Sequence, residues 1–141
     1  MKLYNKIVKN LYLGNAACQK LSEKPEDAKV CVTFGVKDTG APKWAEYYIF
    51  FNLEDKPTVD PQYFLKLMQE SFQFIKEHIE YRPILVHCGL GVSRSGAAAV
   101  YYVMKTQNLS YYDAFSYVQS KRTCVLPNQG FANALTSINQ Q

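Results

Sequence analysis

The sequence predicts an α/β fold in which a single central sheet of about five strands is flanked by helices. Strand-like segments dominate the first third of the chain, another covers 83–87, and helical segments follow it. A long amphipathic segment, 61–80, lies between two strand-like segments and can connect them as parallel strands by a crossover. The length of 141 residues suits one domain, and we expect residues 1–141 to form it.

The first four strands are predicted from short segments rich in β-branched and aromatic residues. The segment "KIVKNLYLG", 6–14, predicts two short strands broken near Asn10. "KVCVTF", 29–34, and "YYIFFNL", 47–53, have the composition of buried strands. Between the second and third strands, "NAACQKL" can form a short helix, and "SEKPEDA" is a polar loop.

A capping residue indicates where the long helix begins. Asp60 can cap the helix, and Pro61 follows at a position where a missing backbone N–H costs nothing. Apolar residues then recur with helical spacing and define one face: Phe64, Met68, Phe72, Ile75 and Ile79. The segment "RPILVHC" that follows is a short apolar run after a proline, which predicts the central buried strand.

Three further helices are predicted in the last part of the chain. The segment "SRSGAAAVYYVMKTQ", 93–107, predicts a helix that is buried on nearly all sides. Ser110 and Asp113 have the spacing of a capping box and predict a helix that runs to about Arg122. Asn128, directly after a proline, predicts the start of the last helix.

Charge and hydropathy exclude several classes of protein. The net charge of +4 is spread along the chain, so it does not predict a nucleic-acid-binding protein. No apolar run reaches the about 18 residues of a membrane-spanning helix. The first residues, "MKLYNKIVKNLYLG", lack the continuous apolar stretch of a signal peptide. We therefore expect a cytoplasmic or nuclear protein without a membrane span, and a monomer.

The cysteines do not predict a metal site or a disulfide framework. They lie far apart, at positions 18, 31, 88 and 124, and no CxxC pair exists. The histidines at 78 and 87 do not complete a ligand set with them. We expect no metal and no cofactor, and a reducing compartment.

The segment "VHCGLGVSRSG", 86–96, concentrates the residues that indicate chemistry. Cys88 lies at the carboxyl end of the predicted strand, which is the edge where open α/β sheets bind ligands. The next helix begins near Arg94 or Ser95. Gly89 and Gly91 permit backbone angles that turn successive N–H groups inward, so the loop predicts an anion-binding nest at a helix N-terminus.

The same loop predicts a nucleophile and a phosphate clamp. A cysteine at a helix N-terminus near cationic groups can have its pKa lowered from about 8.5 to between about 3.5 and 7.5. Arg94 offers a planar fork that can hold two oxygens of one phosphate. Attack of a Cys88 thiolate on phosphorus, a cysteinyl-phosphate and its hydrolysis follow from this combination. Two other glycine-rich motifs are excluded. A dinucleotide-binding fingerprint that starts at Gly89 would need a glycine at position 94, which is Arg94, and a Walker loop would need a lysine after its second glycine, where the sequence has none.

The segment "HCGLGVSRSG" resembles the His-Cys-x5-Arg-Ser loop of cysteine-dependent protein phosphatases, most closely the small, atypical members of the dual-specificity group. Three further segments resemble that group in the right order: "LYLGN" at 11–15, "YYIFFNLED" at 47–55 and "LPNQGF" at 126–131. The resemblance implies a dual-specificity phosphatase-like fold and hydrolysis of phosphotyrosine and phosphoserine or phosphothreonine in proteins. It implies no metal.

The resemblance also implies a role for each residue of the loop. Cys88 is the nucleophile, Arg94 clamps the phosphate, and the Ser95 hydroxyl hydrogen-bonds the thiolate and helps it leave. His87 supports the loop and is not a general base. The phosphate-binding residues are Gly89, Leu90, Gly91, Val92, Ser93 and Arg94.

A general acid is needed to protonate the leaving oxygen. The resemblance places it at Asp55, in the loop after the strand that ends near Leu53. Glu54 is adjacent and stays an alternative, and Asp60 is a rival that fits better as a helix cap.

Two other functions remain open from the sequence. One is a phosphatase of a non-protein substrate, a lipid or an RNA 5′ phosphate. Relatives that act on inositides often carry lysines in this loop, whereas no residue between Cys88 and Arg94 is basic, which argues against an inositide substrate. The other is a phosphate-binding module without turnover, which the intact Cys88 and Arg94 disfavour. The expected partner is a phosphorylated protein, not a nucleic acid.

Overall fold

Five strands form one sheet in the computed structural model, which describes residues 2–138. They are β1 (Tyr4–Val8), β2 (Leu11–Gly14), β3 (Val30–Gly35), β4 (Tyr47–Asn52) and β5 (Ile84–His87). The helices are α1 (Pro61–His78), α2 (Arg94–Gln107), α3 (Tyr111–Lys121) and α4 (Gln129–Thr136), with a short 3-10 helix at Ala16–Gln19. The α/β fold predicted from the sequence is therefore confirmed, including the five-stranded sheet.

The strand order β1-β2-β5-β3-β4 brings four carboxyl ends to one edge of the sheet. β5 pairs in parallel with β2 and β3, and β4 pairs in parallel with β3, whereas β1 is antiparallel to β2 at the border. The α1 crossover thus joins two parallel strands, as predicted, with β3 between them. The register aligns His87 with Gly14 on one side and with Thr33 on the other.

The predicted break near Asn10 is the turn of the β1–β2 hairpin. Asn10 has φ of 66° in the left-handed region, which asparagine tolerates better than most residues. Its side-chain amide also donates to Ile79 O at 2.7 Å, which ties the turn to the end of α1.

α1 and α3 begin at the residues that the capping pattern indicates. Asp60 accepts from Tyr63 N at 3.2 Å, and Ser110 accepts from Asp113 N at 3.2 Å. Such caps satisfy backbone donors that the first turn would otherwise leave unpaired.

α2 is the central helix of the core. All side chains from 95 to 104 are buried, which explains the uninterrupted run of apolar and aromatic residues from Ala97 to Met104. A Cβ on Gly96 would lie 3.1 Å from Val125, so the small residue lets α2 approach the segment that leads to α4. Within residues 2–138, no helix combines the length and the apolar character needed to cross a membrane.

Candidate active site

The loop at 88–93 connects β5 to α2 at the carboxyl edge of the sheet. Because β5 is flanked on both sides by parallel strands, its residues are all buried and hold the start of the loop rigidly. α2 begins at Arg94, so its N-terminus points at the loop. This is the geometry in which the helix dipole and free amides favour an anion.

Cys88 lies at the floor of this loop, beneath the first turn of α2. Its Sγ is 3.0 Å from Ser95 Oγ, and the two residues are 3% and 0% exposed. A hydroxyl at this distance can donate to a sulfur anion and stabilise it. The structure thus joins two of the residues that the sequence singled out.

Gly91 has the backbone conformation that the loop requires. Its φ is +70°, and a Cβ there would lie 2.5 Å from Gly14 O, so no other residue fits without displacement. The φ of Gly89 is not positive, so only one of the two loop glycines needs a backbone conformation that favours glycine. A Cβ on Gly89 would instead lie 3.5 Å from Arg94 Nη2.

The carbonyl groups of residues 89–92 are all bonded to surrounding parts of the chain. At one end of the loop, Ala16 N donates to Gly89 O at 3.0 Å. At the other end, Leu126 N donates to Val92 O at 3.0 Å. The loop is therefore held from both sides by backbone that is distant in sequence.

Arg122 holds the two carbonyls between these ends, and sequence reasoning missed it. Its Nε donates to Gly91 O at 2.9 Å and its Nη2 to Leu90 O at 3.0 Å. Its Nη1 donates to Lys2 O and to Asn5 Oδ1, each at 2.9 Å. The side chain is 1% exposed, so a buried guanidinium joins the loop to the N-terminal strand.

The direction of these four carbonyl groups also sets the direction of the loop's N–H groups. In a trans peptide the C=O and the following N–H point in opposite directions, so carbonyls fixed outward at 89–92 direct the N–H groups of 90–93 inward. Within residues 2–138, these four amides make no hydrogen bond. These donors are available to an anion, as the nest predicted from the glycines requires.

Arg94 has a donor that the protein itself does not satisfy. Its Nη1 donates to Leu53 O at 3.2 Å, which fixes the side chain next to the loop after β4. Its Nε is buried and has no hydrogen-bond partner among the described residues. Such a buried donor is costly unless a ligand satisfies it, and a phosphate oxygen would do so.

His87 contacts the backbone of Cys88 and not its sulfur. Its Nδ1 is 3.3 Å from Cys88 O, and its Nε2 is 2.8 Å from Thr33 Oγ1 and 3.0 Å from Gln19 Nε2. Burial lowers the pKa of His87, so the ring is neutral at pH 7. Because an amide nitrogen can only donate, Nε2 accepts from Gln19 and Nδ1–H donates to Cys88 O.

The three candidate acids occupy different environments. Asp55 Oδ1 accepts from Asn128 Nδ2 at 2.9 Å. Glu54 instead forms an exposed ion pair with Lys56 at 3.2 Å, and Asp60 caps α1. Asp55 is thus the acid that is tied to the elements around the loop.

Asn128 links Asp55 to the loop and to α4. Its backbone N donates to Ser93 Oγ at 2.9 Å, and its Oδ1 accepts from Phe131 N at 2.9 Å, as expected of a cap. α4 also approaches the loop that carries Asp55 closely, since a Cβ on Gly130 would overlap Pro57 O. One helix N-terminus therefore holds together the loop that carries Asp55 and the loop at 88–93.

The other three cysteines lie in different surroundings. Burial raises the pKa of Cys31 to about 12 and also raises that of Cys18, so both remain thiols at neutral pH. Cys124 is half-buried. Among residues 2–138, no three His, Cys, Asp or Glu side chains come together as metal ligands would.

Comparison with known proteins agrees with this geometry. The family model described as dual specificity phosphatase, catalytic domain, matches residues 11–141. Dual specificity protein phosphatase 22-B of Danio rerio is 33% identical over 93% of this chain and 71% of its own length. A probable dual specificity protein phosphatase of Dictyostelium discoideum is 31% identical over 93% of this chain, which spans only 33% of that relative.

A solved structure shows the same fold. The crystal structure of human tyrosine phosphatase-like serine/threonine/tyrosine-interacting protein superposes with a TM-score of 0.85 at 25% identity. The superposition covers 96% of this chain and 94% of that chain. The family match and the fold thus extend far beyond the loop at 88–93, and the chain belongs to the dual specificity phosphatase catalytic-domain family, whose members are hydrolases that act on phosphoesters.

Proposed function

We propose that this chain hydrolyses phosphotyrosine, phosphoserine and phosphothreonine in proteins through a cysteinyl-phosphate on Cys88. One observation carries the proposal: Arg94 Nε is a buried donor without a hydrogen-bond partner among the described residues, in the same helix turn as Ser95, whose Oγ is 3.0 Å from Cys88 Sγ. The unbonded amides of 90–93 in the adjoining loop support it. Thiol, cation and amide donors in this arrangement suit a tetrahedral dianion. Membership of the family supports the same reaction.

In the first step, the phosphate dianion binds to the loop amides and to the Arg94 fork. The Cys88 thiolate attacks phosphorus, and the bond from phosphorus to the substrate oxygen breaks. Protonated Asp55 gives its proton to that oxygen, so the product leaves as a neutral alcohol or phenol. Asn128 supports this role because it holds the Asp55 carboxyl at 2.9 Å.

In the second step, water attacks phosphorus and the bond between sulfur and phosphorus breaks. Asp55, now ionised, accepts the proton of the attacking water. Ser95 Oγ, 3.0 Å from Cys88 Sγ, donates to the departing sulfur as it regains its charge. Inorganic phosphate and the free enzyme are the products, and no metal takes part in either step.

The experiment is hydrolysis of an aryl phosphate in the presence of a metal chelator. We expect turnover by the wild type and none by Cys88→Ser. Arg94→Lys should lose about 10²–10³-fold in kcat/KM, because lysine cannot reproduce the planar fork. Tight phosphopeptide binding without release of phosphate would instead indicate a binding module.

Specificity and cell compartment are part of the proposal. The loop offers no basic side chain between Cys88 and Arg94 for extra phosphates, which supports protein over inositide substrates. Phosphotyrosine and phosphothreonine versions of one peptide, compared in kcat/KM, test dual specificity. A reducing compartment, cytoplasmic or nuclear, suits a protein with four free cysteines, one of which is the proposed nucleophile.

A further inference from the structure

A pocket lies between the segment that follows β2 and the segment that leads into β4. Its volume is about 430 Å³. Five residues line it: Gln19, Lys20 and Leu21 in the first segment, and Lys43 and Trp44 in the second. The two walls are thus more than 20 residues apart in sequence, and the reaction proposed above assigns no role to either lysine or to the tryptophan.

Hydrogen bonds fix the two walls to each other and to the sheet. Trp44 Nε1 donates to Gln19 O at 3.0 Å, which joins the walls. The side chain of Gln19 reaches the sheet, where its Nε2 lies 3.0 Å from His87 Nε2 and 3.4 Å from Thr33 Oγ1. The pocket is therefore formed before a ligand binds, which lowers the entropic cost of binding.

Each wall carries an ammonium group that has no acidic partner. Lys20 and Lys43 are exposed, and within residues 2–138 neither of them forms an ion pair. No acidic side chain of the described residues lines the pocket. Two uncompensated positive charges at one pocket attract an anionic group and disfavour a cationic one.

The same pocket also offers apolar surface. Leu21 is 73% exposed, and Trp44 is half-buried. The Lys24 ammonium lies 5.5 Å from the centroid of the Trp44 ring and donates to Pro25 O at 3.0 Å, so this cation holds the indole in place. An aliphatic side chain of a ligand can pack against the indole and Leu21 together.

A single-stranded nucleic acid fits this lining less well. Such ligands stack successive bases on several aromatic side chains along a cationic groove. This pocket has one aromatic ring, and its apolar neighbour, Leu21, is aliphatic. An inorganic anion would use the two lysines and leave the apolar surface uncovered.

We propose that this pocket binds an acidic segment of a partner protein. An aliphatic side chain of that segment packs against Trp44 and Leu21, and a neighbouring carboxylate lies between Lys20 and Lys43. A leucine next to glutamate or aspartate supplies both groups. The inference concerns binding alone and does not depend on the reaction at Cys88.

Trp44 makes the test direct, because it is the only tryptophan of the chain and its fluorescence therefore reports on the pocket. The probe is an unphosphorylated glycine peptide that carries one leucine between two glutamates, titrated into the full chain. We expect a saturable change in Trp44 emission. Replacing the leucine of the peptide by alanine should raise Kd by about 10-fold. Added salt should also raise Kd, because it screens the exposed charges.

Two double variants separate the pocket from the overall charge of the chain. Lys20→Glu with Lys43→Glu should raise Kd by about 10-fold or more, because the pocket then repels the glutamates. Lys66→Glu with Lys76→Glu is the matched control, since it changes the net charge equally at two exposed positions of α1. Its Kd should stay within about twofold of the wild type at physiological salt. Circular dichroism shows whether each variant is folded.

Three results would overturn the inference. One is the absence of a saturable change in emission up to about 1 mM peptide. Another is a Kd that stays the same in the folded Lys20→Glu, Lys43→Glu variant or with the alanine peptide. The third is a change of equal size and affinity with oligothymidylate or with sodium sulfate, which would assign the pocket to a nucleic acid or to a small anion.

Discussion

Asn128 donates a hydrogen bond from Nδ2 to Asp55 Oδ1 at 2.9 Å, and this contact joins the loop that carries Asp55 to the N-terminus of α4. The same residue bonds Ser93 Oγ through its backbone N. If Asp55 is the proton donor, its position relative to Cys88 depends on Asn128. The first two predictions follow from this contact.

Asn128→Ala should lower kcat by about 10- to 100-fold, because a misplaced acid transfers its proton less effectively. The loss should be larger for a substrate with a poor leaving group, which needs the proton more. Steady-state kinetics with two aryl phosphates of different leaving groups measures this difference.

Ser110→Ala is the matched control for the lost helix cap. It removes the cap of α3, which costs about 1 kcal/mol of stability, but it has no contact with the acid. We expect its kcat to stay at the wild-type value. An equal loss of kcat with both leaving groups in Asn128→Ala would argue against a positioning role.

Asp55→Asn should abolish the decline of kcat at high pH, because that decline reports loss of the acid's proton. The rate should also fall by about 10²–10⁴-fold at the wild-type optimum. Full pH–rate profiles of the variant and the wild type provide the measurement. Glu54→Gln and Asp60→Asn are the controls and should keep the wild-type shape; a flattened profile in either of them would move the role to that residue.

Arg122→Lys should weaken binding of oxyanions such as vanadate by about 10-fold or more. Lysine keeps the buried charge but cannot hold Leu90 O and Gly91 O at once, so the loop amides lose their common direction. The measurement is the inhibition constant of vanadate, with circular dichroism to show that the variant is folded. Arg82→Lys, at the opposite edge of the sheet, is the control. Unchanged vanadate inhibition in a folded Arg122→Lys would contradict the role given to this residue.

The protein should lose stability as the pH falls through about 6.5. Burial lowers the pKa of both His87 and His78 in the folded protein, so the unfolded chain binds these protons at a higher pH than the native one. Unfolding is then accompanied by proton uptake in that window, and its free energy decreases with falling pH by at most about 1.4 kcal/mol per pH unit for each histidine. Above this window, the free energy of unfolding should not depend on these groups.

Urea denaturation between about pH 7.5 and pH 5.5 tests this dependence. His78→Gln should show a shallower decrease, because only His87 then contributes. A free energy of unfolding that rises on acidification would show that the sign of the pKa shift is wrong.

Much of the fold could be predicted because its signals are local. Asp60, Ser110 and Asn128 mark helix starts, and each caps its own helix through neighbouring backbone groups. The loop from Cys88 to Arg94 could be recognised for the same reason, since nucleophile, glycines and clamp lie within one short segment. Of the two loop glycines, only Gly91 has a positive φ, and the sequence alone did not distinguish it from Gly89.

The residues that hold the loop from outside could not be predicted. Arg122 lies 32 residues from Leu90 in sequence and ends a helix, where a basic residue is ordinarily explained by the helix dipole. Gln19 contacts His87, which is 68 residues away in the sequence, and the two side chains meet only once the sheet has formed. Such contacts depend on tertiary structure, and no periodicity or spacing in one sequence reports them.

The most direct test of the account is to find the phosphoryl group on the enzyme. Asp55→Asn lacks the proposed base for hydrolysis of the cysteinyl-phosphate, so mixing it with an aryl phosphate of good leaving group and quenching with acid should trap the intermediate. Peptide mass spectrometry should then show one phosphoryl group on Cys88 and none on Cys31, which burial keeps as a thiol. Release of phosphate by the wild type with no phosphoryl group on Cys88, or continued turnover by Cys88→Ser, would contradict the account.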